Sequence, residues 1–178
     1  MDPEGEVGSL QILLEVEMTT STITPAVSTA LAFRLQVLGN AYRSINVAPD
    51  AASAAEFGRL FTDPLGMPCP PWQSASDSPD GATPRLMGPA TRSALAWFER
   101  FGFTAVGDFD QADHIGFLLA FAGLLIDTNA DAATLRRYAI DHLNWIPAYC
   151  ERLSAAARTP FYRELAEETG LAVRNFMD

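Results

Sequence analysis

The feature that most constrains this fold is an unbroken run of twelve apolar or glycine residues, 115–126. The run is shorter than the roughly 20 apolar residues that a membrane-spanning helix needs. It is longer than most buried strands and is not enriched in β-branched residues, so it predicts a buried helix. A helix that is apolar on all sides must be enclosed by other helices. We therefore expect this helix, over about residues 110–127, to form the centre of a helical bundle.

A polar segment lies directly before this run, Asp108-Phe109-Asp110-Gln111-Ala112-Asp113-His114. We expect Asp108 or Asp110 to cap the central helix, because aspartate side chains accept hydrogen bonds from the free N–H groups at a helix start. Asp113 and His114 would then lie in its first turn. Since the predicted core meets reactive polar groups only here, this turn is the first candidate for a functional site.

The rest of the chain predicts further helices and no strand. Each helix start is marked by a capping residue or by an early proline, at Thr24-Pro25, Asp50, Gly88-Pro89, Asn129 or Asp131, and Thr159-Pro160. Apolar residues follow at spacings of three and four, and Pro147 should kink or restart a helix. The sequence therefore predicts an all-α, single-domain bundle of six or seven helices over residues 24–178. Residues 1–23 are expected to be an appendage that is partly mobile.

Residues 63–84 interrupt the helical periodicity and include six prolines. A loop of this length inside a compact domain is usually functional or disordered. Because Trp72 lies within it, and disordered segments seldom include tryptophan, we expect an ordered loop packed on the bundle. Trp72 would either hold this loop down or anchor a ligand, since tryptophan offers a large apolar area and a polar N–H.

The charge and the motifs exclude several classes of function. The net charge of −10, with arginine as the only basic residue besides histidine, argues against nucleic acids and anionic membranes and suits a basic partner. The chain has no HExxH or CxxC motif and no lysine for a phosphate-binding loop, so we expect neither a metal site nor a cofactor. Cys69 and Cys150 are expected to be reduced thiols, and His142 a hydrogen-bonded core histidine. No signal peptide is evident, which predicts a cytoplasmic protein.

Four segments occur in an order and at spacings similar to those of the TorD/DmsD/NarJ family. They are Pro71-Trp72-Gln73-Ser74, Leu86-Met87-Gly88-Pro89, Ala112-Asp113-His114-Ile115-Gly116 with Leu119-Ala120-Phe121, and His142-Leu143-Asn144-Trp145. The family consists of redox-enzyme maturation chaperones for molybdoenzymes. The resemblance covers about residues 26–176. Ala112 stands where the family usually has proline, and the loop after Trp72 lacks the family's second aromatic residue.

The resemblance implies a non-enzymatic cytoplasmic chaperone with an all-helical fold and no catalytic metal. It implies binding of the twin-arginine signal peptide, or of the apo-subunit, of a molybdopterin oxidoreductase before export. We expect the peptide site to comprise Trp72, Ser74, Asp77, Asp110, Asp113 and His114. In this hypothesis carboxylates bind the arginines and an apolar groove binds the rest. We expect a monomer or a domain-swapped homodimer.

Two other functions remain open from the sequence. The chain could be a helical scaffold or an assembly subunit of a larger complex, with the loop as its interface. Alternatively, Asp113 and His114 could form the acid–base pair of an enzyme.

Overall fold

The computed structural model describes residues 25–63, 65–78, 88–104 and 112–178. These residues form a helical bundle, and none of them belongs to a β-strand. The α-helices, in chain order, are α1 (Pro25–Arg43), α2 (Ala51–Phe57), α3 (Gln73–Ser76), α4 (Pro89–Arg100), α5 (Ile115–Asp127), α6 (Ala132–Tyr138), α7 (Ile146–Ala156) and α8 (Pro160–Met177). The all-α prediction is therefore confirmed. The described part has eight helices rather than six or seven, because the one-turn helix α3 forms inside the predicted loop.

Helix α5 lies at the centre of the bundle, as the apolar run predicted. Most of its side chains are buried, and Ile115, Leu118 and Leu125 have no exposed surface. It starts later than expected, because His114 rather than Asp108 or Asp110 is the N-cap residue. The prediction of an aspartate cap was wrong since Asp113 and His114 have extended or turn backbone and pair with another segment of the chain. Asp108 and Asp110 lie outside the described residues.

Glycines allow α1 and α5 to approach each other closely. A Cβ atom at Gly39 would lie 2.5 Å from the carbonyl oxygen of Gly116, and a Cβ atom at Gly116 would lie 2.5 Å from that of Gly39. Gly123 makes a similar approach to Ala32 on α1, at 2.7 Å. Real Cβ atoms do not come this close to backbone atoms, so any larger residue would force the two helices apart.

The other predicted helix starts are also found. Proline is the first residue of α1, α4 and α8, while Asp50 and Asp131 cap α2 and α6 through their side chains. Gly102, with φ +66°, follows the end of α4, a conformation that glycine adopts without strain. Pro147 is in the first turn of α7, so the chain restarts a helix there as predicted.

Two π-helical turns border the loop that contains Trp72. The first, Gly58–Thr62, extends α2, and the second, Ala139–Leu143, extends α6. Such turns are rare, appear mostly as single-turn insertions in α-helices and are frequent at functional sites. Both contact the loop: the carbonyl of Leu60 accepts a hydrogen bond from Cys69 N–H, and the carbonyl of Asp141 accepts one from Gln73 Nε2.

The loop is ordered over residues 65–78, as the presence of Trp72 led us to expect. Cys69 and Ala75 are almost fully buried, and the Tyr149 hydroxyl donates a hydrogen bond to the carbonyl of Cys69. Residues 79–84 of the predicted loop and residues 1–23 lie outside the described part. None of the described helices is both long enough and apolar enough to span a bilayer.

Candidate functional site

The candidate site is formed where the Trp72 loop pairs with the start of α5. Trp72 and His114 form an isolated antiparallel β-bridge. On either side of it, Gln73 N–H donates to the Asp113 carbonyl over 3.0 Å, and Ile115 N–H donates to the Pro71 carbonyl over 2.8 Å. The loop is therefore held by backbone hydrogen bonds at the first residues of the central helix.

The Asp113 side chain joins the start of α5 to α3, within the loop, and to α4. One carboxylate oxygen accepts a hydrogen bond from Ser74 N–H in the first turn of α3 (2.9 Å), and the other accepts one from the Thr91 hydroxyl on α4 (3.0 Å). Asp113 is 1% exposed and Thr91 is fully buried. A carboxylate that accepts N–H groups at a helix start supplies the hydrogen bonds that the helix itself lacks there. Asp113 thus takes part in the packing of the loop and is not exposed to solvent.

His114 is buried between the loop and α5. Its Nδ1 accepts a hydrogen bond from Gly116 N–H over 3.0 Å, so the proton of the neutral ring is on Nε2. Burial, followed by the charge of Arg43, lowers the pKa of His114 to about 3. The ring packs edge-on against Trp72, with the ring centres 5.6 Å apart. His114 is therefore a neutral capping residue that contacts the indole.

The side chains of Asp113 and His114 form hydrogen bonds with other described residues and none with each other. The carboxylate of Asp113 is bonded to Ser74 and Thr91, and His114 Nδ1 is bonded to Gly116. Neither residue is accessible to a substrate in this arrangement.

Trp72 and Asp77 are the accessible members of the predicted set. Trp72 is half-buried, although its indole N–H is enclosed and has no hydrogen-bond partner among the described residues. Asp77 ends α3 and is exposed. Partial burial and then the nearby Asp113 carboxylate raise the pKa of Asp77. Leu65 is 96% exposed on the same loop. The loop therefore presents an aromatic ring, a carboxylate and an apolar side chain.

The structure brings together four of the six predicted site residues. Trp72, Ser74, Asp113 and His114 lie in one contiguous set of contacts, and Asp77 follows at the end of α3. Asp110 lies outside the described residues.

A second set of buried polar contacts was not predicted as part of the site. Gln73 is 7% exposed; its Nε2 donates to the Asp141 carbonyl and its Oε1 lies 2.9 Å from His142 Nδ1. His142 Nε2 lies 3.1 Å from the Ser93 hydroxyl on α4. His142 is a hydrogen-bonded core histidine, as predicted, and burial lowers its pKa to about 4. Nothing in the sequence indicated that its partner would be Gln73.

The described residues hold no cluster of three or more side chains suited to a metal ion. Cys69 and Cys150 are both buried free thiols, and burial raises their pKa values to about 11 and about 12. A thiol with so high a pKa is a poor nucleophile at neutral pH.

Comparison with known families decides what kind of protein this arrangement belongs to. The model of a family described as nitrate reductase delta subunit matches residues 24–151, which is well over half of the chain. The chain belongs to the nitrate reductase delta subunit family. No curated protein matches it significantly.

Membership of the delta-subunit family confirms the resemblance inferred from the four sequence segments. This family includes the NarJ and TorD-like chaperones, which act in the maturation of molybdoenzymes. It is a family of maturation factors rather than of enzymes. The match includes the Trp72 loop, the start of α5 and the second π-helical turn.

Proposed function

We propose that this protein is a cytoplasmic chaperone that binds the twin-arginine signal peptide (the leader), or the apo-form, of a molybdopterin oxidoreductase until the cofactor of that enzyme is inserted. The observation that carries this proposal is the pairing of Trp72 with His114 at the start of the central helix. This pairing fixes an ordered loop on the bundle and leaves the Trp72 ring and the Asp77 carboxylate accessible.

Trp72 and Asp77 are the residues that we propose to contact the leader. The indole would pack against apolar residues of the peptide, since tryptophan contributes much of the affinity at many interfaces. Its enclosed N–H has no acceptor in the described structure, and an unpaired buried donor costs free energy. A carbonyl of the bound chain would supply that acceptor after a small rotation of the indole ring. Asp77 would accept hydrogen bonds from an arginine.

Ser74, Asp113 and His114 remain part of the proposed site, but in a supporting role. Because Asp113 is buried and bonded to Ser74 and Thr91, we propose that it holds the loop and does not bind arginine directly. His114 caps α5 and supports the Trp72 ring. Asp110 stays in the proposal as a second carboxylate for the basic leader.

The charge of the whole chain favours a basic ligand. A net charge of −10 gives a long-range attraction for a positively charged peptide and accelerates its association at low salt. We propose a monomer or a domain-swapped homodimer as the binding species.

A scaffold role is the second candidate, because α1 exposes apolar side chains. Phe33 is 68% exposed and Val37, one turn later, is 49% exposed. Apolar side chains grouped on a surface indicate contact with another protein. Size-exclusion chromatography with light scattering, with and without the leader, distinguishes the two roles. A stable complex that forms without the leader and dissociates into free subunits in the Phe33→Ala variant would favour the scaffold.

The leader itself provides the test of the proposed function. Calorimetric titration of a client leader peptide should give saturable, salt-sensitive binding. A matched peptide with both arginines replaced by glutamine should bind at least about tenfold more weakly, because charge-assisted bonds to carboxylates are lost. Equal binding of the two peptides, or no binding of either, would contradict leader recognition.

A further inference from the structure

The Gln73 side chain forms a buried link between the Trp72 loop and the second π-helical turn through two hydrogen bonds. Its Nε2 donates to the Asp141 carbonyl over 2.9 Å, and its Oε1 is 2.9 Å from His142 Nδ1. Gln73 directly follows Trp72 and is the first residue of α3. Its position therefore helps to determine where Trp72 and the end of α3 lie.

The hydrogen bonds of this link determine which atoms of Gln73, His142 and Ser93 carry the protons. A backbone carbonyl only accepts, so the amide group of Gln73 must direct its nitrogen toward Asp141 and its oxygen toward His142. His142 Nδ1 must then carry the proton, and Nε2 accepts from the Ser93 hydroxyl. Each buried polar group has a partner, and such a fully satisfied network favours one geometry over its alternatives.

The π-helical turn provides the acceptor for this link. A π turn widens the helix and displaces its carbonyls from the regular ladder. Pro147, just beyond the turn, has no N–H to return to that ladder. Two carbonyls of the turn accept side-chain donors: Asp141 from Gln73, and His142 from the indole of Trp145 over 2.8 Å.

The same turn reaches the protein surface through the Asp141 side chain. Its carboxylate accepts hydrogen bonds from Trp97 Nε1 on α4 over 3.2 Å and from Arg137 Nε over 3.0 Å. The link from Gln73 therefore rests on a turn that is itself fixed to α4 and to α6. It provides a rigid reference for the position of the loop.

We propose that Gln73 is a positioning residue for leader binding: through the Asp141 carbonyl and the His142 ring, it holds the Trp72 loop in its binding conformation. Gln73 itself is buried and does not touch the leader. The role proposed for Gln73 rests on the leader-binding function proposed above.

Gln73→Met tests this role, because methionine has a similar length and lacks both polar groups. We expect the affinity for the twin-arginine leader to fall at least about tenfold, measured under conditions in which near-ultraviolet circular dichroism shows a folded protein. Gln36→Met is the matched control, since Gln36 is an exposed glutamine that bonds to Asp127. It should bind the leader as the unchanged protein does.

His142 gives a second pair of variants with opposite expectations. His142→Asn keeps a donor near the position of Nδ1 and should retain affinity within about threefold, whereas His142→Ala should lose as much as Gln73→Met. The double variant Gln73→Met/His142→Ala should bind no more weakly than either single variant, because both remove the same link. Additive losses of binding free energy would show that the shared link is not the cause and would overturn the proposal.

A readout without peptide separates this proposal from leader binding. With 5-fluorotryptophan at the three tryptophans, the ¹⁹F signal of Trp72, assigned by Trp72→Phe, should shift or broaden in Gln73→Met and not in Gln36→Met. An unchanged Trp72 signal together with unchanged affinity would overturn the positioning role. A shifted signal in a protein that binds no leader would leave the positioning role standing and overturn the proposed function alone.

Discussion

The carboxylate of Asp113 accepts a hydrogen bond from the backbone N–H of Ser74, 39 residues earlier in the chain, over 2.9 Å. This contact joins the residue before the α5 cap to the first turn of α3. The most conspicuous acidic residue of the candidate site therefore stabilises the loop from within. In the proposed function, the side chains that contact the leader therefore come from the accessible part of the same loop.

Replacing Asp113 should destabilise the protein. Asp113→Ala leaves Ser74 N–H and the Thr91 hydroxyl unpaired in a buried place, at a cost of about 2–4 kcal/mol in the free energy of unfolding. Urea titration followed by circular dichroism measures this loss. Glu164→Ala, at an exposed site on α8, is the control and should change the free energy by less than about 0.5 kcal/mol. An Asp113→Ala variant as stable as the control would show that the buried contacts are not formed.

The contact between α1 and α5 should not tolerate a methyl group. Gly39→Ala places Cβ 2.5 Å from the Gly116 carbonyl oxygen. It should lower the free energy of unfolding by about 2–3 kcal/mol, because the atoms that Cβ meets belong to the backbone and cannot move aside easily. Gly58→Ala is the matched control, since its nearest contact is the Thr62 hydroxyl at 3.9 Å. Alanine there should be neutral or stabilising by up to about 1 kcal/mol. Thermal unfolding distinguishes the two; similar melting temperatures would contradict the close helix approach.

The two buried histidines should make the fold sensitive to mild acid. The pKa values of His114 and His142 are lowered to about 3 and about 4 from 6.5, so both stay neutral in the folded state while the unfolded chain binds protons below pH 6.5. Stability is therefore complete above about pH 6.5 and falls as the pH drops toward 4, by about 1.4 kcal/mol per pH unit for each histidine at most. His142→Asn should remove about half of this slope between pH 6 and 4.5. A flat profile over that range would be inconsistent with neutral buried histidines.

Glu56 should stabilise the fold in its charged form, whereas the two buried histidines do so in their neutral form. Burial raises its pKa, but hydrogen bonds from Thr159, from Arg158 N–H and from Arg59 outweigh this and lower it to about 2. Its stabilising effect is present above about pH 4.5 and is lost as the pH falls toward 2. Because Glu56 accepts both N–H groups at the start of α8, Glu56→Gln should cost about 1–3 kcal/mol at pH 7. Glu99→Gln on the exposed face of α4 should be neutral in the same urea titration.

The sequence predicted the helices well because their signals are local. Pro25, Asp131 and Pro147 each act on the backbone within a few residues, and the spacing of apolar residues follows from the helix period. The start of α5 was misplaced because it depends on a distant partner: the loop takes the Asp113 carbonyl and the Ile115 N–H into a bridge. No local pattern encodes that pairing.

Sequence reasoning selected residues that lie close together, but it did not predict how buried they are or which partners they have. Trp72 and His114 were both selected, and they do contact each other. The burial of Asp113, and the partnership of Gln73 with His142, depend on contacts across 39 and 69 residues. From the sequence, both Asp77 and Asp113 were expected to contact the peptide, and no local pattern distinguishes the buried aspartate from the exposed one or gives Gln73 a partner.

The central claim, that the Trp72 face is the site of leader binding, is tested most directly by isothermal titration of one twin-arginine leader into two aromatic variants. Trp72→Ala should lose about 2 kcal/mol of binding free energy, or roughly 30-fold in affinity, because the indole is the proposed anchor. Phe33→Ala removes an exposed aromatic ring from α1 and should bind as tightly as the unchanged protein. Equal affinity of Trp72→Ala and the unchanged protein, or a larger loss in Phe33→Ala, would contradict the account.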